Sequence, residues 1–200
     1  EGVNTGGMGA YAPAPVVTAE VAERAAEKIL KPIIAALKAE GIIYRGCLYA
    51  GLMIVDGEPK VVEFNCRFGD PETQAILPRL ETDFTDIIDA CIDGTLDKIE
   101  IKWKDCCSCV VVMASGGYPE SYQKGYEITG IKDCGHIVFQ AGTKLTDDGR
   151  FVTSGGRVLC VYGEGKTLNE AIDSAYEGVA KISFKDMHFR HDIGRTLGNK

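Results

Sequence analysis

Two hundred residues bound the chain to one domain, or to a domain plus part of another. With 45% hydrophobic and 26% charged residues and a mean hydropathy of −0.03, the composition is that of a soluble globular protein. A net charge of −7 and a pI near 5.0 argue against general nucleic-acid binding, and no apolar run reaches the length of a membrane span. Phosphorylated small molecules stay open, because they need only a local basic site. No signal peptide opens the chain at Glu1, and residues 2–7 have the texture of a loop inside a longer protein, so a fragment or processed product is expected. Eight Cys, most of them in apolar runs, suit buried thiols in a reducing cytosol. Cys106, Cys109, Cys134 and His136 are spaced too widely for a usual zinc site.

Asn4-Thr5-Gly6-Gly7-Met8-Gly9-Ala10-Tyr11 is a glycine-rich loop, followed by the extended Ala12-Pro13-Ala14-Pro15. Three glycines in four positions let backbone approach a ligand closely or offer N–H groups to an anion. The spacing is neither a Walker A loop nor a Rossmann fingerprint, and an ordinary surface turn explains it equally. Residues 18–40 read as one amphipathic helix: Thr18 caps it, Gly41 stops it, and Val21, Ala25, Ile29, Ile33 and Leu37 share a face. Pro32 predicts a kink, because its nitrogen has no hydrogen to bond back to Lys28.

Residues 44–55 read as a strand, and Asp56-Gly57 as a hairpin turn into a second strand. A two-residue turn places Ala50 opposite Glu63, Leu48 opposite Asn65 and Gly46 opposite Arg67. Along the second strand Glu63, Asn65 and Arg67 share one face, while Val62, Phe64 and Cys66 share the other and fit against a core. The polar row joins two hard oxygen donors suited to Mg²⁺ with a guanidinium fork suited to phosphate or carboxylate. The plain alternative is a solvent-facing strand whose charges pair with one another. Asp70 fits as the N-cap of a helix with Pro71 at its first position and Glu72 in its first turn.

Two short helices are predicted over residues 72–80 and 83–93, and residues 96–105 form a connector where a domain boundary is placed. Beyond it come strands over residues 109–114, 136–141, 150–154 and 158–162, then a helix from Leu168 to Lys181 capped by Thr167. This second part is a small α+β domain. Its Gly155-Gly156-Arg157 and Arg190-His191-Asp192-Ile193-Gly194 lie where they can reach a phosphorylated substrate, or serve only as turns and surface charge.

Three stretches then converge. The Asn4–Tyr11 loop, Leu48-Tyr49-Ala50-Gly51-Leu52-Met53, and Glu63-Phe64-Asn65-Cys66-Arg67-Phe68-Gly69-Asp70-Pro71-Glu72 closely resemble the phosphoribosylamine–glycine ligase family of ATP-grasp enzymes. Val112–Pro119, Gly155–Leu159 and Arg190–Gly194 look like that family's C-terminal domain, so the resemblance covers essentially the whole chain in order.

The resemblance implies an α+β protein: the second half of an ATP-grasp domain over residues 1–97, and a small C-terminal domain over residues 98–200. It implies ATP as co-substrate, Mg²⁺ or Mn²⁺ on Glu63 and Asn65, and Arg67 stabilising charge on the transferred phosphoryl. Asn4, Gly6, Gly7, Met8 and Gly9 are expected on the substrate side, Asp70 and Glu72 fixing Arg67 and the helix start, and Arg157 touching phosphoribosylamine. The implied partners are ATP, glycine, 5-phosphoribosylamine and an N-terminal portion of the same enzyme, in the cytoplasm, with no nucleic acid or membrane. The family's N-terminal domain and the first half of its ATP-grasp fold are expected before Glu1. Without them the chain should be inactive alone and expose apolar surface that favours self-association. Another ATP-grasp carboxylate–amine ligase, or a non-catalytic module on the same fold, are the alternatives.

Overall fold

A computed structural model of the chain describes residues 3–195, so Glu1 and Gly2 of the predicted N-terminal loop lie outside it. In chain order the elements are β1 (Gly9–Ala12), α1 (Ala19–Ala25), α2 (Lys31–Ala39), β2 (Tyr49–Val55), β3 (Glu58–Asn65), α3 (Glu72–Ile76) and α4 (Phe84–Asp93). Then follow β4 (Cys107–Ala114), β5 (Glu127–Ile128), β6 (Val138–Gln140), β7 (Thr143–Leu145), β8 (Phe151–Thr153), β9 (Arg157–Gly165) and α5 (Leu168–Val179). Every paired strand is antiparallel. Among the described residues no helix is long and apolar enough to cross a membrane. The chain divides into two compact units, each built from discontinuous segments.

Of the described residues, the first unit takes 3–12, 70–79 and 105–195. Its main sheet runs β1-β4-β9-β6, and its two central strands are buried along most of their length. Side-chain alternation feeds two apolar layers. Cys109, Val111 and Met113 of β4 and Val161 of β9 pack with Ala171, Ile172, Ala175 and Val179 of α5. Val110, Val112, Cys160 and Tyr162 pack on the other side with Ala75 of α3, Met8 and Ala10. Buried Ser108 donates from Oγ to the Ala75 carbonyl at 2.7 Å, which fixes α3 on β4. Thr167 and Glu170 form a reciprocal capping box at the start of α5. A second sheet, β5-β8-β7, has a turn at Asp147-Asp148-Gly149 between β7 and β8.

The second unit takes residues 13–69 and 80–104. Thr18 caps α1 as expected, and a π-helical turn over Ala26–Leu30, with the Lys31 amide donating to the Ala26 carbonyl, leads into α2, where Pro32 sits in the first turn. The wider turn accommodates a residue without an amide hydrogen. Val21, Ala25 and Ile29 are buried, and α1 packs against β3. Arg24 donates to the Gly57 carbonyl at 2.7 Å and Lys28 to Glu58 at 2.6 Å, tying the hairpin turn to the helix. Asp83 caps α4, and Gly94 ends it in the left-handed conformation.

The hairpin differs from its predicted register. Val55 faces Glu58 and Leu52 faces Val61, but a bulge then shifts the pairing, so that Gly51 faces Glu63 and Tyr49 faces Asn65. The extra residue is Val62, left without a cross-strand partner. The strand ends at Asn65, so Arg67 lies in the following bend rather than on the sheet. The apolar row does not sit against a core either: Val62 is 64% and Phe64 37% exposed, and Cys66 is exposed. Met53, Val55 and Val61 are exposed as well, so the apolar surface anticipated from the sequence is present on this hairpin.

Two predictions follow from the first unit's packing. A Cβ on Gly163 would stand 2.2 Å from the Ala175 amide nitrogen and 2.3 Å from the Ala171 carbonyl, both rigid backbone. Gly163→Ala should therefore lower stability by about 2–4 kcal/mol in urea unfolding, through overpacking between β9 and α5. Burial pushes the Cys109 and Cys160 thiols up to about 12, so both are fully protonated at pH 8. Iodoacetamide at that pH should alkylate exposed Cys66 first, with Cys109 and Cys160 reacting only on unfolding, as peptide mass spectrometry would show.

Candidate active site

The predicted site residues divide between the two units, and each group has its own geometry. In the second unit, Glu63 and Asn65 lie side by side on one face of β3, with Asn65 Nδ2 donating to Glu63 Oε1 at 2.9 Å. The bulge that shifts the register is what sets Gly51 opposite Glu63. A Cβ on Gly51 would already come within 3.1 Å of Glu63 Cγ, so the absence of a side chain there keeps the carboxylate open. Adjacent carboxylate and carboxamide oxygens on an exposed strand fit a hard divalent cation that retains water and phosphate in the rest of its shell. Among the described residues no group of three or more His, Cys, Asp or Glu side chains is placed to hold a metal ion, so this set relies on one carboxylate and one carboxamide. Arg67 donates from Nη1 to the Phe68 carbonyl at 3.0 Å, which orients the guanidinium from within its own bend.

In the first unit, Gly6, Gly7, Asp70 and Arg157 are brought together. Arg157 opens β9 and donates from Nη1 to the carbonyls of Gly7 (3.1 Å) and Asp70 (2.9 Å), and from Nη2 to Asp70 Oδ2 (2.7 Å). Asp70 is not the helix cap. Pro71 occupies the cap position without any side-chain hydrogen bond, and the carboxylate instead accepts from Gln74 Nε2 at 3.0 Å and from Arg157. One charge-assisted bond from the guanidinium to the carboxylate, with a second to the Asp70 carbonyl, takes the place of a cap to a five-residue helix. Glu72, half-buried, opens α3. The Gly6 amide donates to the Tyr118 hydroxyl at 3.1 Å. Gly7 packs so closely that a Cβ would stand 2.4 Å from Pro71 Cδ. The loop's glycines therefore serve close packing as well as any ligand.

Beside this node lies a groove of about 350 Å³, lined by Thr5, Gly6, Gly7, Met8, Gly9 and Tyr11 on one wall and by Arg190, Asp192, Ile193 and Gly194 on the other. Asn4 is exposed just before the loop wall. Arg190 grips Asp192 through Nε (2.8 Å) and Nη2 (2.5 Å), and that grip holds the Asp192 carboxyl below the usual carboxylate range. Sequence reasoning missed Tyr118 and Tyr176, whose hydroxyls bond only to distant backbone and so leave no local spacing to read.

This architecture is that of an ATP-grasp protein carrying a second α+β unit. The ATP-grasp (A) domain of phosphoribosylglycinamide synthetase matches residues 1–73, and the C domain of the same synthetase matches residues 108–196. The phosphoribosylamine–glycine ligase of Neisseria meningitidis serogroup A is 50% identical over 203 residues, covering 100% of this chain and 48% of the relative. That of Salmonella typhimurium is 52% identical over 197 residues, 96% of this chain and 46% of the relative. The solved phosphoribosylamine–glycine ligase of Thermotoga maritima superposes with a TM-score of 0.84 at 36% identity, over 96% of this chain and 48% of that one. Kluyveromyces lactis urea carboxylase shares the fold at 13% identity and a TM-score of 0.63. The chain belongs to the phosphoribosylglycinamide synthetase family, and it spans about half the length of the curated relatives it matches.

The Arg157–Asp70 node gives a direct prediction. Asp70→Ala removes one charge-assisted bond to Arg157 and one to Gln74, and should cost about 1–3 kcal/mol in urea unfolding at neutral pH. A variant as stable as the parent would mean that the node does not hold the loop.

Proposed function

We propose that this chain supplies the C-terminal portion of a phosphoribosylamine–glycine ligase: residues 1–97 as part of its ATP-grasp domain and residues 98–200 as its C-terminal domain. The observation that carries this reading is identity of about 50% along essentially the whole chain to curated ligases of that name. In the reaction, a glycine carboxylate oxygen attacks the γ-phosphorus of ATP, the bond to the bridging β–γ oxygen breaks, and ADP leaves. The amine of 5-phosphoribosylamine then attacks the acyl carbon of glycyl phosphate. The new C–N bond forms, inorganic phosphate leaves, and glycinamide ribonucleotide results.

Such chemistry is mostly positioning and charge neutralisation. Glu63 and Asn65 would hold Mg²⁺ or Mn²⁺, which when bound neutralises charge on the nucleotide phosphates. Arg67, its orientation fixed by the Phe68 carbonyl, places positive charge for the transferred phosphoryl. Asn4, Gly6, Gly7, Met8, Gly9 and Arg157 serve the phosphoribosylamine side, with Asp70 holding Arg157 and Glu72 at the start of α3, and the groove between the loop and the Arg190–Gly194 turn takes the phosphorylated sugar. The partner is the remaining N-terminal portion of the same enzyme, and the compartment is the cytoplasm. Exposure of Val62, Met53 and Phe64 favours this over a self-sufficient module, because an isolated domain rarely leaves that much of a hairpin uncovered.

Glu63→Gln in the complete ligase tests the assignment. The substitution keeps shape and hydrogen bonding but removes the charge, and should lower turnover by about 100-fold or more. Unchanged ligation at saturating ATP would contradict the metal row.

A further inference from the structure

The groove's second wall is bonded at two points by one hydroxyl that the proposed reaction does not use. Tyr176, half-buried on α5, donates its phenolic proton to the Arg190 carbonyl at 2.6 Å and accepts from the Ile193 amide at 3.1 Å. One hydroxyl therefore pins both ends of the turn that carries Arg190, Asp192 and Ile193 into the groove. Its ring is held separately, against Phe189 at 6.4 Å and under the Arg195 guanidinium at 5.1 Å. Arg195 is in turn tied to Asp173 on the same helix at 2.9 Å. The turn then meets the opposite wall: a Cβ on Gly9 would stand 2.8 Å from Ile193 Cδ1. A path of contacts runs from core helix to hydroxyl, to turn, to glycine loop.

We propose that Tyr176 is a positioning residue for the phosphorylated-sugar groove. It sets the height of the Arg190–Gly194 wall, so that the Arg190 guanidinium and the Ile193–Gly194 backbone face the glycine loop at ligand distance. The inference rests on the groove being the phosphoribosylamine side. A merely structural tyrosine would owe its place to ring packing, and Tyr176→Phe keeps all of that packing. Only the two hydroxyl bonds are lost, at a turn exposed enough for water to replace them, so the fold persists while the wall loses its fixed register.

The test uses the chain itself and ribose 5-phosphate, a stable phosphorylated pentose, titrated by heteronuclear NMR with inorganic phosphate as a control. The parent should show saturable shifts at the amides of Gly6, Gly7, Ile193 and Gly194. Tyr176→Phe should weaken that binding about tenfold, speed exchange of the Ile193 amide, and leave amide shifts in the β4-β9 core unchanged. In the complete ligase the same variant should raise KM for phosphoribosylamine with kcat and the KM for ATP unaltered. Equal affinity in Tyr176→Phe, with Arg190→Gln weakened, would overturn the role of Tyr176 while leaving the groove's assignment standing. No shift at the groove in the parent would overturn the groove's assignment and the inference with it.

Discussion

The first unit depends on one guanidinium. Arg157 bonds to the carbonyl of Gly7, 150 residues away, and to the carbonyl and carboxylate of Asp70, 87 residues away. These bonds join the glycine loop, the turn into α3 and the head of β9, three segments with no local reason to meet. A guanidinium is suited to this task because its planar fork satisfies several oxygens at fixed angles, and at 24% side-chain exposure it is only partly screened by water. With the node in place, β1 pairs with β4, Met8 and Ala10 reach the second apolar layer, and Gly6 to Gly9 form a groove wall.

The second unit is organised by a defect in its hairpin. Without the bulge at Val62, Glu63 would face Ala50 in place of a glycine. With it, Glu63 faces a glycine and lies open beside Asn65. Bulges re-aim side chains next to functional sites, and here the re-aimed residue is the only carboxylate of the proposed metal pair.

Much of this was legible in the sequence, and the failures share a cause. Helix caps at Thr18 and Thr167, the turn at Asp56-Gly57 and the apolar strands β4 and β9 are set by neighbours within a few residues, so local chemistry identified them. The side-by-side placement of Glu63 and Asn65 came from strand alternation. The register failed because a bulge leaves no mark in a run such as Lys60-Val61-Val62-Glu63. Asp70 was mistaken for a cap because its real partner, Arg157, lies far along the chain. β1 was missed because Gly9-Ala10-Tyr11-Ala12 carries little strand propensity of its own and is a strand only through pairing with β4.

The most direct test of the account is ligase turnover with ATP, glycine and freshly generated phosphoribosylamine, measured for the chain alone and after adding back the N-terminal portion of the enzyme. The account predicts no glycinamide ribonucleotide from the chain alone and formation of that product, with ADP and phosphate, on complementation. No product in either case, with the fold of both parts verified, would contradict it and point to a non-catalytic module.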